Sequence, residues 1–460
     1  MADLQQREYQ VDGTEFLHRA GRAVLADEPG LGKTNQLLLA AEGRTLVISP
    51  AMLQDVWMSE DPRDLGEVAR WRPDLLEQDL VHWAGYSSVC DRGIDSRGRR
   101  SRVLETPRPE LAGPWDTVIL DESHYVKERK TRWTIATQKI QTDRLYMATG
   151  TPLPNWGHEI FTTLQLLYPE AARPKQWLGS YWRWVAQWFS VTANPHNVQA
   201  RDVGSLLPGW SWEDFAEGNH LQGRWLRRMR DDVLSDMPPL TQQVMKLEME
   251  PAQAKLYKQL KKDLYAQVEE TGNEIISWSK SGVWTKLLKL TTGIEVEDPE
   301  YPKYGNKISA LREIMVGRNH PTLVFAMFRN AAEKAAEALR QDGHSVGVIS
   351  GAYSVADRKL TAKAFRRGEL DVLVGTLGTM SEGLTLTGAD TCVFLERDPR
   401  PSKNEQAVRR IHRYGQTRPC LSIDLVTPNS ADSAMLKLLG LKTDQQMAAL
   451  TAFDLIQQLD

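Results

Sequence analysis

Residues 22–41 read RAVLADEPGLGKTNQLLLAA, and that string decides the fold. Arg22–Ala26 is a short β-prone run. It passes into Asp27-Glu28-Pro29-Gly30-Leu31-Gly32-Lys33-Thr34, and the helix-forming run NQLLLAAEG follows. Glycines in such a loop let backbone N–H groups curl around phosphate oxygens, and the start of the following helix adds its dipole. In that setting Lys33 neutralises the β- and γ-phosphates and Thr34 holds Mg2+. An ordinary strand–loop–helix turn has the same outline. Gly-Lys-Thr set directly between strand and helix favours the phosphate loop, although the strict pattern has Gly where this chain has Asp27.

Outward from that loop, short apolar runs recur: RTLVISP, LVHWAGY, DTVILDE and RLYMATGTP. Each ends in Gly, Pro, Asp or Ser, and helical pattern lies between most of them. That alternation predicts a parallel sheet with crossover helices over about residues 20–165. A second series, PTLVFAMF, HSVGVIS, DVLVGT, TCVFLER and LSIDLVT, predicts another such lobe over about 306–430. Helical composition fills the gaps, as in Asn330–Gln341. Between the lobes lie the Trp-rich segment WLGSYWRWVAQWF and the helical runs AQAKLYKQLKKDLYAQVEE and WTKLLKL. The expected division is therefore 1–170 for lobe 1, 171–235 for a Trp-rich helical insertion, 236–305 for an inter-lobe bridge with a second helical insertion, and 306–460 for lobe 2. Neither insertion reads as an independent domain.

The strand TVIL runs into Asp121-Glu122-Ser123-His124. A carboxylate pair at the C-terminal end of a parallel strand lies where such sheets bind ligands. Asp121 can hold Mg2+ through water, and Glu122 can orient and deprotonate an attacking water. Asp-Glu after a strand is also a common helix N-cap; its place in the same sheet as the phosphate loop favours catalysis.

Composition narrows the class. Hydrophobic residues are 41% and charged residues 25%, which fits a folded globular chain. Apolar runs such as Leu37 to Ala41 fall far short of the roughly 20 residues a membrane helix needs. MADLQQREYQ has no apolar signal core, so the expected compartment is the cytoplasm, bacterial or of a phage-infected host. Cys90, Cys392 and Cys420 are too few and too scattered for a disulfide framework. His18, His82, His158 and His344 have no metal spacing, so no zinc is expected. With a net charge of −3, any nucleic acid must be gripped by locally gathered cations.

In combination these motifs resemble superfamily 2 helicases, specifically the sucrose-non-fermenting type of double-stranded-DNA translocases and chromatin remodellers. Asp27-Glu28-Pro29-Gly30 is that family's variant of the loop. Arg7, Tyr9 and Gln10 resemble its opening motif near the adenine. LVISP with Leu53, Trp57 and Glu60 resembles the next. Ala148-Thr149-Gly150-Thr151-Pro152 with Asn155 resembles its coupling motif, and Trp225 to Pro239 its bridge between lobes, followed by Gln253, Leu256 and Tyr257. Val324–Phe328, Gly351, Arg358 and Phe365 fit the second lobe, and QAVRRIHRYGQ, Gln406 to Gln416, matches the last motif. Met380, Ser381 and Thr385 stand where the family has a Gly-Gly pair and an Asn, and Arg409 replaces a usual acid.

The resemblance implies an α/β fold of two RecA-like lobes with helical insertions. It implies an ATP hydrolase that uses ATP and Mg2+. ATP binding falls to Arg7, Gln10, Gly30, Gly32, Lys33 and Thr34; Mg2+ to Thr34 and Asp121; catalysis to Glu122, Arg410, Arg413 and Gln416; coupling to Thr149, Gly150, Thr151, Glu382 and Gly383. Arg410 and Arg413, three apart in the helical stretch Gln406–Arg413, would share a face and stabilise the transferring phosphoryl group. A solvated basic helix is the plainer reading of that run. The expected partner is double-stranded DNA, with replication, repair or recombination proteins as further candidates and no membrane. Arg97, Arg99, Arg100 and Arg102, with Arg227 and Arg228, are candidate phosphate contacts; a solvated loop is the plainer reading of the first group, and a structural or coupling role in the bridge the other reading of Arg227 and Arg228. The Trp cluster can stack on bases, but Trp184 and Trp188 have the i, i+4 spacing of a core stripe. No histone-reading module fits in 460 residues, so a stripped-down motor of the phage or bacterial kind is expected. Two other functions share this sequence pattern: a strand-separating DNA or RNA helicase, and an ATP-switched DNA-binding scaffold without motor activity.

Overall fold

The computed structural model describes residues 6–59, 66–94, 100–150, 157–194, 197–233, 237–269, 282–293, 304–380, 386, 388–412, 416–440 and 443–444. The chain folds as two units, the second running Asp236–Leu441.

The first unit is built on strands β1 (Arg22–Leu25), β2 (Thr45–Ser49), β3 (Val81–Gly85), β6 (Trp115–Asp121), β7 (Thr142–Ala148) and β10 (Trp225–Leu226). Their order is β10-β1-β7-β6-β2-β3, and all neighbours are parallel. All five runs expected in this lobe form strands. They can be apolar along their length because both faces of the sheet are covered. Ala23, Leu25, Val47, Ile119 and Tyr146 pack on one face with Leu17, Leu37, Trp57 and Val68 from the helices. Val24, Leu46, Ile48, Val118, Leu120 and Met147 point to the other face, where Trp184, Trp188, Phe189, Phe215 and Trp225 meet them. Side chains alternate along a strand, so each strand feeds both cores.

The Trp-rich segment therefore completes lobe 1. Trp184 and Trp188 are buried on the helix Tyr181–Trp188, as their spacing predicts. The Trp184 indole donates to Asn219 Oδ1 at 2.7 Å, and Asn219 in turn donates to the Phe215 carbonyl, so the buried polar atoms are satisfied. The insertion is not purely helical, however. It carries an antiparallel hairpin, β8 (Phe189–Asn194) with β9 (Asn197–Leu206), and supplies β10 to the main sheet. A second hairpin joins β4 (Cys90–Ile94) and β5 (Arg100–Pro107).

The second unit is built on β11 (Leu240–Lys246), β12 (Thr322–Ala326), β13 (Val346–Ile349), β14 (Val372–Thr376), β15 (Thr391–Phe394) and β16 (Cys420–Val426). Their order is β11-β16-β15-β12-β14-β13, again parallel throughout. Five of these six are the expected apolar runs. The exception, β11, is an edge strand with largely exposed side chains, so its sequence TQQVMK lacks the apolar signature. The helices Pro251–Glu269 and Gly282–Thr292 belong to this unit: Tyr257, Leu287, Leu288 and Leu290 pack with Ala431 and Met435. Beneath them Lys307, fully buried, pairs with Asp432 at 2.7 Å and donates to the Leu395 carbonyl. Glu396 accepts from Thr292 and from the Met327 N–H, and burial pushes its carboxyl above the usual range against the pull of Lys307.

One expected helix is shorter than its sequence suggests. The stretch read as Gln406–Arg413 leaves the α-helix at Val408. Arg410 and Ile411 donate back only three residues, to Ala407 and Val408. The Ile411 carbonyl is taken by the Gln416 carboxamide at 3.1 Å instead of a helical N–H. Among the described residues no helix is long and apolar enough to cross a membrane.

Candidate functional site: the phosphate loop of lobe 1

Strand order sets the site. β7 lies between β1 and β6, so the loops leaving the C-terminal ends of these three strands are neighbours. They carry the phosphate loop, the coupling residues and the acidic pair, in that spatial order.

After β1 the chain turns at Gly30 (φ 94°) and Gly32 (φ 71°), and the helix Lys33–Ala40 begins with Gly32 in the left-handed region as its N-cap. Glycine is required at 32 for a second reason. A Cβ there would stand 2.3 Å from Gln10 Nε2. Gln10, on the helix Glu8–Ala20, donates to the Leu31 carbonyl at 3.2 Å and accepts from the Arg7 N–H at 3.0 Å. The opening motif is thereby tied to the phosphate loop. The Lys33 ammonium donates to the Asp27 carbonyl at 2.7 Å and stands over its own loop. Thr34 is the second residue of the loop helix, its backbone N–H among the free donors of that helix start.

Asp121 and Glu122 follow β6. The Asp121 carboxylate accepts from the Trp57 indole at 3.0 Å and from the Glu122 N–H at 2.9 Å. Burial, with the neighbouring Glu122 charge, pushes its pKa up to about 7, and the Trp57 hydrogen bond and the Lys33 charge oppose that rise. Lys33 is thus close enough to be felt electrostatically at Asp121. Tyr86 donates its hydroxyl to the Asp121 carbonyl at 2.9 Å. Glu122 has φ 52° and ψ 50°, a left-handed backbone that side-chain-bearing residues rarely adopt and that clusters at functional sites. Its Oε2 lies 3.2 Å from His124 Nδ1, which is 3.3 Å from Thr149 Oγ1. The acidic pair is therefore linked through His124 to the coupling residues. Gly150 presses on the phosphate loop itself: a Cβ there would be 2.5 Å from Pro29 Cγ.

Asp27, the departure from the strict loop pattern, and its neighbour Glu28 have a structural use. Asp27 is completely buried, and Arg228 meets both of its carboxylate oxygens, Nε at 3.0 Å and Nη2 at 2.5 Å. The Arg228 N–H adds a bond at 3.0 Å, and Gln36 donates to Asp27 at 3.3 Å. The same guanidinium donates to the Tyr9 carbonyl, lies 5.2 Å from the Tyr9 ring centroid, and reaches Gln36 Oε1 at 2.6 Å. Glu28 accepts from the Arg230 N–H at 2.9 Å. Arg228 therefore braces the phosphate loop from within lobe 1, the structural alternative to a DNA contact. Nothing local in the sequence announces a partner in a loop so far upstream. Arg227 is half-buried beside it.

Gln416 is engaged with the backbone of its own turn. Its carboxamide donates to the Ala389 and Ile411 carbonyls and accepts from the Thr417 and Arg418 N–H groups. Both amide hydrogens and the amide oxygen are thus engaged with backbone groups, which positions the turn after Ile411. Arg410 is half-buried in the turn after the helix Pro401–Val408, and Arg409 pairs with Glu405 one turn back. Arg97, Arg99, Thr151, Glu382, Gly383 and Arg413 lie outside the described residues. Arg100 and Arg102 are described only as backbone of β5.

The donor set suits Mg2+. Asp121 is a single buried carboxylate near a hydroxyl-bearing loop helix, and magnesium takes one or two carboxylates and otherwise water and phosphate oxygens. Among the described residues no group of three or more His, Cys, Asp or Glu side chains could hold a metal ion by itself.

Two parallel α/β lobes, the first carrying phosphate loop, coupling residues and acidic pair on adjacent strand ends, define a phosphate-loop protein of the two-lobed helicase class. The chain belongs to the SNF2-related family: the SNF2-related domain matches residues 9–294, and the helicase conserved C-terminal domain matches residues 306–415. It is 26% identical to the mouse DNA annealing helicase and endonuclease ZRANB3, over 94% of this chain and 40% of that protein. It is 24% identical to the Arabidopsis thaliana ATP-dependent DNA helicase DDM1, over 94% of this chain and 60% of that one. A Sulfolobus solfataricus SWI2/SNF2 ATPase core solved with double-stranded DNA is 19% identical, covering 99% of this chain and 95% of that chain, with a TM-score of 0.39. The chain spans about two fifths of the length of ZRANB3.

Proposed function

We propose that the chain is a DNA-dependent ATPase that couples ATP hydrolysis to movement along, or remodelling of, double-stranded DNA. One observation carries the chemistry: phosphate loop, Thr149–Gly150 and Asp121–Glu122 leave three adjacent strands at one end of the sheet. Family membership and the DNA-directed names of the relatives support the choice of substrate.

Backbone N–H groups at the start of helix Lys33–Ala40 bind phosphate oxygens, and Lys33 turns from its loop carbonyls to the β/γ-phosphates. Thr34 and Asp121 would hold Mg2+, which would neutralise charge on the phosphate oxygens. Glu122 takes the proton of the attacking water, and His124 fixes its carboxylate against Thr149. On the family resemblance of the last motif, charge stabilisation of the transition state is assigned to Arg410 and Arg413. The three cysteines, buried and in no disulfide, suit a reducing cytoplasm.

Steady-state ATP turnover against duplex DNA, single-stranded DNA, RNA and no nucleic acid tests the proposal. Duplex DNA should stimulate most, and Glu122→Gln should bind ATP yet turn over about a hundredfold more slowly. Turnover that no DNA changes would favour the scaffold function, and stimulation by RNA alone the helicase one. Normal turnover in Glu122→Gln would remove the assigned base.

A further inference from the structure

The geometry points to a second duplex-DNA contact on lobe 1, in which Arg129 and Arg201, stacked on Tyr181 and Trp182, hold the phosphate backbone. It rests on the proposed DNA-dependent activity and adds a surface to it.

The Arg129 guanidinium carbon lies 4.3 Å from the Tyr181 ring centroid. Tyr181 and Trp182 meet edge to face at 5.0 Å, and the Arg201 guanidinium carbon lies 5.5 Å from the Trp182 ring. Cation, ring, ring and cation form one continuous row. It joins three separate segments: the chain leaving the acidic pair, the helix Tyr181–Trp188 and strand β9. Among the described residues neither guanidinium is in an ion pair with a carboxylate. Two acids are felt at Tyr181, Glu128 and Glu159: Glu159 is held by Lys127 at 2.8 Å, and Glu128, exposed, is in no ion pair with either guanidinium. Lys130 and Arg183, both exposed, flank the row. In a chain of net charge −3, four cations gathered around one aromatic pair, with Glu128 the exposed acid beside them, are a local excess of positive charge, as a nucleic-acid surface requires.

Its place in the fold fits. Arg129 is seven residues past Glu122, on the segment leaving the C-terminal end of β6. Lys127 ties that segment to the turn Gly157–Ile160, which follows β7. Phe161, next after that turn, packs edge-on against Tyr181 at 5.2 Å. The row therefore stands at the same end of the sheet as the nucleotide loops. Stacking on an aromatic face leaves the guanidinium N–H edges free to donate and removes most of the rotamer freedom a surface arginine would lose on binding phosphate. An acidic protein partner is disfavoured: each ring has an arginine over it, so the row offers charge in place of an apolar anchor.

The test is equilibrium binding of a short blunt DNA duplex to the full chain, between 50 and 200 mM salt, for wild type and R129Q/R201Q. Each phosphate contact contributes about −0.9 to the slope of log K against log salt. The double variant should lose about two units of slope and bind at least tenfold more weakly at low salt. R129K/R201K keeps the charges but not the stacked forks, and should keep the slope while losing affinity several-fold. R70Q/R173Q, an equal change of charge at exposed arginines paired with Glu67 and Glu170, should leave the slope alone. Wild type that fails to bind duplex refutes the DNA reading itself. Wild type that binds, with an R129Q/R201Q slope within half a unit of it, overturns this inference alone.

Discussion

Replacing Arg228 by Met should cost lobe 1 more stability than replacing its partner Asp27 by Asn. The asymmetry follows from what each change strands. Asp27 has no exposed surface, whereas the Arg228 side chain is 14% exposed and rests beside Tyr9. Arg228→Met leaves a buried carboxylate with only the residue-228 N–H at 3.0 Å and Gln36 Nε2 at 3.3 Å. Breaking a buried pair from one side costs about 3–5 kcal/mol. The two surviving donors hold the expected cost near the lower figure. Asp27→Asn keeps an acceptor for the Arg228 Nε and lets the guanidinium lean toward water, so about 1–2 kcal/mol is expected, the scale of a charge-assisted hydrogen bond weakened to a neutral one. For a unit of this size each kcal/mol moves the midpoint by about 2–4 °C. Arg228→Met should thus melt about 6–12 °C lower and Asp27→Asn about 2–8 °C lower. The double variant should cost less than the sum. Thermal or urea unfolding of the three variants, followed by near-UV signal, reads these values directly. An Arg228→Met cost below about 1 kcal/mol, or a larger cost for Asp27→Asn, would refute the bracing argument.

Three further outcomes are expected. Gly150→Ala drives a Cβ to 2.5 Å from the rigid Pro29 ring, so ATP turnover should fall at least about tenfold while the melting temperature moves little; unchanged turnover would show that the close approach is not needed. Trp57→Phe keeps the buried ring but deletes the N–H held 3.0 Å from Asp121, and Mn2+ titration of the ADP complex should show about three- to tenfold weaker metal binding, equivalent to about 0.7–1.4 kcal/mol. Glu396 is raised by burial, so its protonated form is favoured by folding and its stabilising contribution is complete below the ordinary carboxylate range and lost as pH rises through the raised value. Urea midpoints of wild type should therefore fall relative to Glu396→Gln between pH 4 and 8; a constant difference would refute the shift.

Local signals in the sequence carried the ten apolar strands, the phosphate loop and the acidic pair, because each is a contiguous run whose pattern states its own environment. β11 escaped that logic. An edge strand with solvent on most side chains needs no apolar residues, and TQQVMK has few. The hairpins and the two-residue β10 escaped because tertiary pairing, not local propensity, makes them strands. At the site, the contacts that decide behaviour join distant residues: Asp27 to Arg228, Asp121 to Trp57, His124 to Thr149. Arg228 in a basic run reads as a surface cation until its partner is known. The close of the helix at Val408 likewise depends on Gln416, whose carboxamide arrives from beyond the motif's last turn.

The attachment of β10 beside the phosphate loop has a mechanical consequence. Val24 and Ala26 donate to the Arg224 and Leu226 carbonyls, and Glu28 donates to the Arg228 carbonyl, at 2.8, 2.7 and 3.1 Å. These bonds run across the direction of the strand. Tension along residues 224–230 loads them in shear, so they share the force and yield together instead of peeling one by one. The Arg228 and Arg230 contacts with Asp27 and Glu28 act as rivets at the far end of the same row. A pull on the chain where lobe 1 ends is therefore delivered, almost without slack, to the backbone of residues 24–28 immediately ahead of the loop that grips phosphate.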